Sequence, residues 1–243
     1  MPAVPITAIC LVAALGALAG CGSGDRPAVA AAGSTAPSAV SSPVGGTGGT
    51  DASATPAADT IGALPPPLRQ SMTGVSWRPG CPVGLDDLRL LTVSYVDFDG
   101  HPQRGQLVVH RAVADAVVRV FGRLRAARFP IRSMTLIEAY GGSDDASMAA
   151  DNTSAFNCRN VPGTQHLSNH AYGRAVDVNT VENPYLPGKQ IMPPAGRAYL
   201  DRRNVRPGMI VAGDAVVQAF TAEGFTWGGT WKSGTDYQHF EKP

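Results

Sequence analysis

The spacing of apolar and polar residues predicts a β-hairpin near the start of the folded part of the chain. Two runs rich in β-branched and aliphatic residues, "LRLLTVSYVDFDG" and "QRGQLVVH", surround the segment "DFDGHPQ". Because aspartate and glycine are favoured where two strands reverse direction, we expect the turn to be centred on Asp99 and Gly100.

A helix is predicted directly after the hairpin. Apolar residues recur at helical spacing from Arg111 to Arg128, and the pattern stops near Pro130, because proline cannot continue a helix. We interpret the next segment, "SMTLIEAY" from Ser133 to Tyr140, as a buried strand.

The remainder of the chain mixes loops, one helix and short strands. The long polar segment "GGSDDASMAADNTSAFNCRNVPGTQHLSNHAYG" is typical of a functional loop. The segment "GDAVVQAFTAEGF" predicts a second helix that ends at Gly224, and "TWGGTWKSGTDYQHFEKP" predicts strand or loop interrupted by glycine. Trp227, Trp231 and Tyr237 in that last segment either wall a groove or belong to the core. Since strands and helices do not follow strict βαβ order, we predict the α+β class, with a small mixed or antiparallel sheet and flanking helices.

Upstream of these elements the composition is unlike that of a folded domain. Residues 6–19 are small and apolar, too short a run to span a bilayer, and the sequence "LAGC" follows, ending at Cys21. We expect a signal peptide over residues 1–20. "LAGC" resembles the lipobox of bacterial lipoproteins, in which the cysteine is lipidated; an ordinary secretory signal is the alternative.

Residues 21–63 are mostly Ala, Gly, Ser, Thr and Pro. Such a composition buries too little apolar surface to offset the entropy of ordering, so we expect a disordered linker. The folded domain is then predicted over residues 64–243. The expected location is extracytoplasmic, with a membrane anchor through a lipid on Cys21 at the bacterial cell envelope.

Charge and cysteine content narrow the setting further. Twenty basic residues against 19 acidic ones give a net charge of +1, which offers no electrostatic reason to expect a nucleic-acid partner, and we expect a monomer. Cys81 and Cys158 remain once Cys10 and Cys21 are set aside. An oxidising compartment favours a disulfide between them, and two free thiols are the alternative.

Three residues that are distant in sequence suggest a metal site: His170, Asp177 and His239. Two imidazoles and one carboxylate leave the fourth position of a tetrahedral Zn²⁺ open, as in catalytic zinc sites. Asp236, three residues before His239, would then be able to accept a proton from an attacking water. Taken singly, each of these residues is more common as a surface or structural residue.

The joint pattern resembles a known family. A first motif, S-x-H-x-x-G-x-A-x-D, is matched by Ser168, His170, Gly173, Ala175 and Asp177. A second, an acidic residue shortly before a histidine and an aromatic residue, is matched by Asp236, His239 and Phe240. Together they are similar to the M15 family of zinc peptidases, the D-alanyl-D-alanine carboxypeptidase or VanY/VanX group, which cleaves bacterial cell-wall peptides.

The resemblance implies a role for each matched polar residue. His170, Asp177 and His239 would bind zinc, and Asp236 would be the general base. The implied fold is the small α+β one shared with the zinc-bearing domain of hedgehog proteins. Ser168 either contacts substrate, as its position in the family implies, or bonds to the backbone of its own turn.

One expected residue departs from the family pattern. Family members often carry an arginine in a "YRP"-like stretch, whereas "EAYGGSDDA" has glycine at that place. The nearest candidate is Arg159 in "FNCR", which a bridge between Cys81 and Cys158 would hold in position. A structural or surface arginine is the alternative.

We therefore expect a zinc-dependent metallopeptidase that hydrolyses peptidoglycan stem peptides, with D-Ala-D-Ala carboxypeptidase action as the first hypothesis. An endopeptidase that cleaves between L- and D-residues of the same peptide is the alternative among enzymes. A zinc-binding but catalytically inactive cell-wall module is the alternative if the protein is not an enzyme. Asp236 favours an enzyme, because an inactive descendant needs no base beside the last ligand.

Overall fold

The structure is a computed structural model that describes residues 58–232 and 234–242. The predicted signal peptide, Cys21 and most of the expected linker lie outside the described residues. Within the two described ranges, no helix has the length and apolar character needed to cross a membrane.

The described chain contains short helices and strands in mixed order. Its strands are β1 (Thr60–Ala63), β2 (Leu88–Val96), β3 (Pro102–His110), β4 (Ala175–Asp177), β5 (Tyr185–Leu186), β6 (Thr226–Trp227), β7 (Thr235–Asp236) and β8 (His239–Glu241). Its α-helices are α1 (Pro66–Met72), α2 (Ala114–Ala126), α3 (Asp144–Ala149) and α4 (Ala215–Thr221). Short 3-10 helices cover Leu85–Asp87, Ile137–Tyr140, Asn169–Tyr172, Pro194–Tyr199 and Gly228–Thr230.

The strands form three small sheets with the orders β1-β2-β3, β4-β8-β6 and β5-β7, and every pairing between them is antiparallel. The α+β class predicted from the sequence is confirmed. Helix α2 lies against β2, and both contribute to the main hydrophobic core, which also includes residues of β4, β8 and α4. Strands β4 and β8, which carry Asp177 and His239, are therefore anchored in the same core as the large hairpin.

The hairpin is formed by β2 and β3, as predicted. Its turn begins at Asp97, whose Oδ1 accepts hydrogen bonds from the backbone N–H groups of Asp99 and His101 at 3.0 and 2.8 Å. Gly100 has φ of 84°, a left-handed conformation that glycine adopts at little cost. The expected centre of the turn, Asp99 and Gly100, is confirmed.

Both predicted helices are present and are shorter than their sequence patterns. Helix α2 spans Ala114–Ala126, and its buried face includes Val117, Val120, Phe121 and Leu124. The three residues before it form a turn. Helix α4 ends at Thr221, and Gly224 follows with φ of 81°.

The predicted strand from Ser133 to Tyr140 is wrong. Only Ser133 forms a β-bridge, and the end of the segment is a 3-10 helix. The side chain of Asn152 replaces a partner strand: its Oδ1 accepts from the Thr135 N–H at 2.9 Å and its Nδ2 donates to the Thr135 carbonyl at 2.8 Å. With these backbone groups bonded to a side chain, the segment has no need of strand pairing.

Two features concern the start of the domain. Strand β1 lies upstream of Leu64, where we expected the domain to begin, and pairs with residues 89–92 of β2. Its four residues are all exposed, which explains why composition alone does not distinguish it from a linker. Farther along, Cys81 and Cys158 form the predicted disulfide.

Candidate metal centre and active site

Three residues named from the sequence come together in one buried cluster. His170 Nε2 lies 3.1 Å from Asp177 Oδ2, and His239 Nδ1 lies 3.0 Å from Asp177 Oδ1. The two imidazole nitrogens are 3.2 Å apart. No metal is included in the structure, so the ligand role of the three residues stays a prediction that this proximity supports.

Strand pairing explains how two of the three meet. Asp177 on β4 is directly opposite His239 on β8, and the neighbouring pair is Val176 with Phe240. Because side chains alternate between the two faces of a strand, Val176 and Phe240 enter the core while Asp177 and His239 face away from it. Phe240 stacks on Phe220 of α4 with ring centroids 3.9 Å apart, which fixes β8 in place.

A tight turn positions the third residue. Ser168 precedes the 3-10 helix Asn169–Tyr172, and its Oγ accepts a hydrogen bond from the His170 N–H at 3.3 Å. Gly173 ends the helix with φ of 65°, and a Cβ there would lie 2.7 Å from the backbone nitrogen of His110. Both the serine and the glycine of the motif thus have structural roles. Ser168 also lines the depression described below.

Hydrogen bonds on the far side of each ring fix which nitrogen faces the cluster. His170 Nδ1 donates to the carbonyl of Ala155 at 2.5 Å, and His239 Nε2 donates to Glu241 Oε2 at 3.0 Å. A neutral imidazole carries one hydrogen, so with that hydrogen on the outer nitrogen of each ring, the nitrogens that face Asp177 would be free to bind a metal. This donor set fits a divalent transition metal, and the carboxylate behind His239 is typical of metal-binding histidines.

Electrostatic interactions within the cluster shift the pKa values of His239 and Asp177. Burial alone would lower the pKa of His239, but its hydrogen bonds with Asp177 and Glu241 outweigh burial and raise that pKa to about 10. Burial would likewise raise the pKa of Asp177, but the two histidines hold it well below its usual range. A metal ion would have to displace a proton here, so its binding should weaken at low pH.

The cluster opens into a depression of about 140 Å³. Three buried side-chain atoms in its lining have no hydrogen-bond partner among the described residues: Arg159 Nε, Asp236 Oδ1 and Gln238 Oε1. A buried polar atom without a partner costs roughly 1–3 kcal/mol. The convergence of three such atoms indicates that a polar ligand or water belongs in this depression.

Asp236 is the buried carboxyl group next to the cluster, with 8% of its surface exposed. Burial raises its pKa to about 8, with Asp177 adding to the rise and His239 opposing it. Gly228 permits this placement, because a Cβ there would lie 2.7 Å from the Asp236 carbonyl oxygen and 3.3 Å from His239 Cβ. A carboxyl group in this position could take a proton from a water bound in the depression and return it.

Arg159 lies in the lining of the same depression. Its Nη2 forms an ion pair with Asp144 Oδ2 at 2.7 Å. Burial raises the pKa of Asp144, although the charge of Arg159 opposes that rise. The arginine follows Cys158 directly, and the Cys158 carbonyl accepts a hydrogen bond from Arg78 Nη1 at 2.8 Å. The disulfide and this bond together fix the backbone that carries Arg159.

Sequence reasoning missed two residues of the site, Asp144 and Glu241. Asp144 begins α3, and the Oγ of Ser143 accepts from the Ala146 N–H at this end of the helix at 3.2 Å. The serine followed by two aspartates was a signal for a helix start. Glu241 lies two residues after His239 on β8, and this spacing places both side chains on one face of the strand.

The three aromatic residues named from the sequence separate into two roles. Trp227 is buried in the core, where its Nε1 donates to the Tyr237 carbonyl at 2.9 Å. Tyr237 packs against the same core. Trp231 lines the depression, and its ring lies 5.3 Å from that of His239.

Hydrolysis requires a group that takes a proton from water and a positive group that stabilises charge on the substrate. The depression contains a buried carboxyl group that suits the first role and an arginine that suits the second. Residues 162–242 match the family model described as D-alanyl-D-alanine carboxypeptidase. The match confirms, over these residues, the resemblance to the M15 peptidases inferred from the two motifs. A search of solved structures found no match.

The matched segment covers the metal cluster, Asp236 and Glu241, and it begins after Arg159. Peptidase chemistry is therefore supported at the level of the family. The roles of Arg159 and Asp144 depend on the geometry of the depression alone.

Proposed function

We propose that this chain is an exported zinc metallopeptidase that removes the terminal D-alanine from peptidoglycan stem peptides. The observation that carries the proposal is the convergence of His170 Nε2 and His239 Nδ1 on the Asp177 carboxylate. Beside them lies Asp236 Oδ1, which has no hydrogen-bond partner within the described part of the chain. The family match supports peptidase chemistry at this location. Zinc bound here would supply a Lewis acid and lower the pKa of an attacking water.

Residues of the chain itself would transfer the proton and bind the substrate. Asp236 takes the proton of the attacking water and returns it to the leaving amine. Arg159, whose Nε has no hydrogen-bond partner in residues 58–232 and 234–242 and whose Nη2 is paired with Asp144, binds a carboxylate or carbonyl oxygen of the substrate. The ion pair with Asp144 neutralises part of the charge of Arg159. The same contact restricts the orientation of the guanidinium group.

Metal content tests the ligand assignment. The purified domain should contain about one zinc per chain, and His170→Ala or His239→Ala should lose it. His166→Ala is the matched control, because His166 is exposed and does not line the depression. Full zinc content in either ligand variant would refute the metal site.

Product analysis tests the reaction. Digestion of purified muropeptides followed by mass spectrometry should show the loss of one alanine. A larger released fragment would indicate the endopeptidase instead, and an unchanged substrate would indicate an inactive zinc-binding module. Asp236→Ala should keep its zinc and lose cleavage, whereas Asp201→Ala, an exposed carboxylate outside the depression, should keep both. Turnover retained in Asp236→Ala would overturn the assignment of the base.

The location is part of the same proposal. Export agrees with the disulfide between Cys81 and Cys158, since such bridges persist in oxidising compartments. Metabolic labelling with a fatty-acid analogue should mark the full-length protein and fail to mark Cys21→Ala. An unlabelled wild-type protein would remove the lipid anchor from the proposal.

A further inference from the structure

A second depression adjoins the candidate site. It has a volume of about 580 Å³ and is lined by Asp145, Met148 and Ala149 of α3 and by residues 189–194 with Arg197. Met148 and Met192 line both depressions. A ligand bound over the metal cluster can therefore extend past these two side chains without leaving the protein surface.

The two depressions differ in size. The one over the cluster, at about 140 Å³, is smaller than the roughly 300–1,000 Å³ of most ligand clefts, whereas the second falls within that range. The first has room for the groups that surround one peptide bond. Recognition of a particular peptide therefore needs contacts elsewhere, and the adjoining depression is the place that the surface offers.

The chemistry of the second depression is apolar with a positive rim. Its floor is formed by Met148, Ile191, Met192 and two consecutive prolines, Pro193 and Pro194. Its charged side chains are those of Lys189, Arg197 and Asp145, all exposed.

The two cations at the rim, Lys189 and Arg197, are available to bind a ligand. Within residues 58–232 and 234–242, no hydrogen bond or ion pair joins Lys189 or Arg197 to another side chain. Two cations face one carboxylate, Asp145, so the rim carries a net positive charge. An aliphatic chain that ends in a carboxylate complements both the floor and the rim.

We propose that this depression is a second subsite for the same peptide substrate, and that it binds a portion carrying a carboxylate on an aliphatic side chain. The inference depends on the proposed function, because the ligand is the peptide that is cleaved in the adjoining depression. Lys189 and Arg197 are specificity residues in this arrangement and take no part in the reaction itself.

The test uses two synthetic peptides that end in D-Ala-D-Ala and differ only in a glutamate or a glutamine two residues before the scissile bond. A second pair carries the same change one residue farther away. Both pairs are assayed with the wild type, with Lys189→Gln/Arg197→Gln, and with Arg203→Gln. Arg203 is an exposed arginine paired with Asp201 outside both depressions, so its variant controls for a loss of positive charge.

For at least one pair, the double variant should raise KM for the glutamate peptide about three- to tenfold, as expected for two exposed charge contacts. It should leave kcat and the glutamine peptide unchanged, and Arg203→Gln should behave as the wild type. The difference between the two peptides should shrink at high salt. Equal KM values for glutamate and glutamine peptides in both pairs, or an unaltered KM in the double variant, would overturn the subsite.

A binding measurement separates this inference from the proposed function. Fluorescence anisotropy of the labelled peptides is recorded with Asp236→Ala if the wild type cleaves them, and with the wild type itself if it does not. Absence of cleavage together with charge-dependent binding that the double variant loses would refute the peptidase proposal and keep the anion subsite. Cleavage together with charge-independent binding would refute the subsite and keep the peptidase.

Discussion

Removal of Glu241 should weaken zinc binding although Glu241 is not expected to be a ligand. Its Oε2 accepts from His239 Nε2 at 3.0 Å and from Asn169 Nδ2 at 2.6 Å. The hydrogen bond to His239 lowers the pKa of Glu241 below its usual range, so the acceptor is a charged carboxylate at neutral pH. This bond keeps the hydrogen on Nε2 and leaves Nδ1, the nitrogen nearest Asp177, free to bind metal.

The geometry sets the size of the effect. Partners of this kind typically contribute 10- to 100-fold in metal affinity, which is about 1.4 to 2.7 kcal/mol. Glu241→Ala removes the acceptor and leaves a buried N–H of His239 without a partner, so it should reach the upper end. Glu241→Gln keeps an oxygen that accepts from His239 and loses only the charge, so it should fall near the lower end.

Competition for zinc with a chromophoric chelator at fixed pH measures this affinity directly, and the unfolding of the zinc-free variants shows whether the fold is kept. Glu223→Gln is the matched control, because Glu223 is paired with Arg119 and Arg123 away from the depression. Zinc affinities of both Glu241 variants within twofold of the wild type would refute the reasoning. In that case the orientation of His239 would have to come from strand pairing alone.

Three further changes test the fold around the site. Glu182 is buried and its pKa is raised to about 8, first by burial and then by its hydrogen bond with Asp151; its contribution to stability is present below about pH 4.5 and is lost as the pH rises to about 8. The free energy of unfolding, measured with urea, should fall less from pH 5 to 8 for Glu182→Gln than for the wild type, by on the order of a few kcal/mol. The same dependence of the free energy of unfolding on pH in both proteins would contradict the raised pKa of Glu182. The double change Cys81→Ser/Cys158→Ser opens a loop of 77 residues and should lower the free energy of unfolding by at most about 4.5 kcal/mol in the chain-entropy model; reduced and oxidised wild-type protein with the same urea midpoint would argue against this. Gly173→Ala combines a left-handed φ with a 2.7 Å approach to backbone and should cost roughly 1–3 kcal/mol in the same assay, whereas Gly163→Ala, with positive φ but no atom within 4 Å of its Cβ, should cost less.

Some parts of this molecule are encoded in short stretches of sequence. The hairpin turn depends on Asp97 and Gly100: the Asp97 side chain accepts from the backbone of Asp99 and His101, and the Gly100 N–H donates to the Asp97 carbonyl. The ligand motif is similar, because Ser168 caps the turn that holds His170 and Gly173 ends it. Local chemistry of this kind is readable without knowledge of the fold, which is why these predictions agree with the structure.

Other parts depend on contacts that a linear pattern does not reveal. The segment from Ser133 to Tyr140 has the apolar character of a strand, but Asn152 bonds to its backbone from a distant turn. Asp144 contacts Arg159 only because α3 folds back over the loop. Asn152 and Asp144 reach these partners only through the tertiary fold. The sequence pattern contains no signal for either contact.

The segment from Ser154 to Arg159 connects the predicted metal ligands with Arg159. Ser154 pairs with Asp177 through two backbone hydrogen bonds of 3.0 and 2.9 Å. The carbonyl of Ala155 accepts the hydrogen of His170 Nδ1. Both predicted ligands on the N-terminal side of the site are therefore held by backbone groups of two consecutive residues, which no side-chain substitution at those two positions removes directly.

The same segment continues through Cys158 to Arg159, so the covalent chain and the disulfide set the distance between the arginine and the metal cluster. The contacts to His170 and Asp177 lie before the cysteine, whereas the arginine lies after it. Loss of the bridge should therefore affect the two functions unequally. Zinc affinity should persist while KM rises, and a parallel loss of both would mean that the disulfide supports the whole segment.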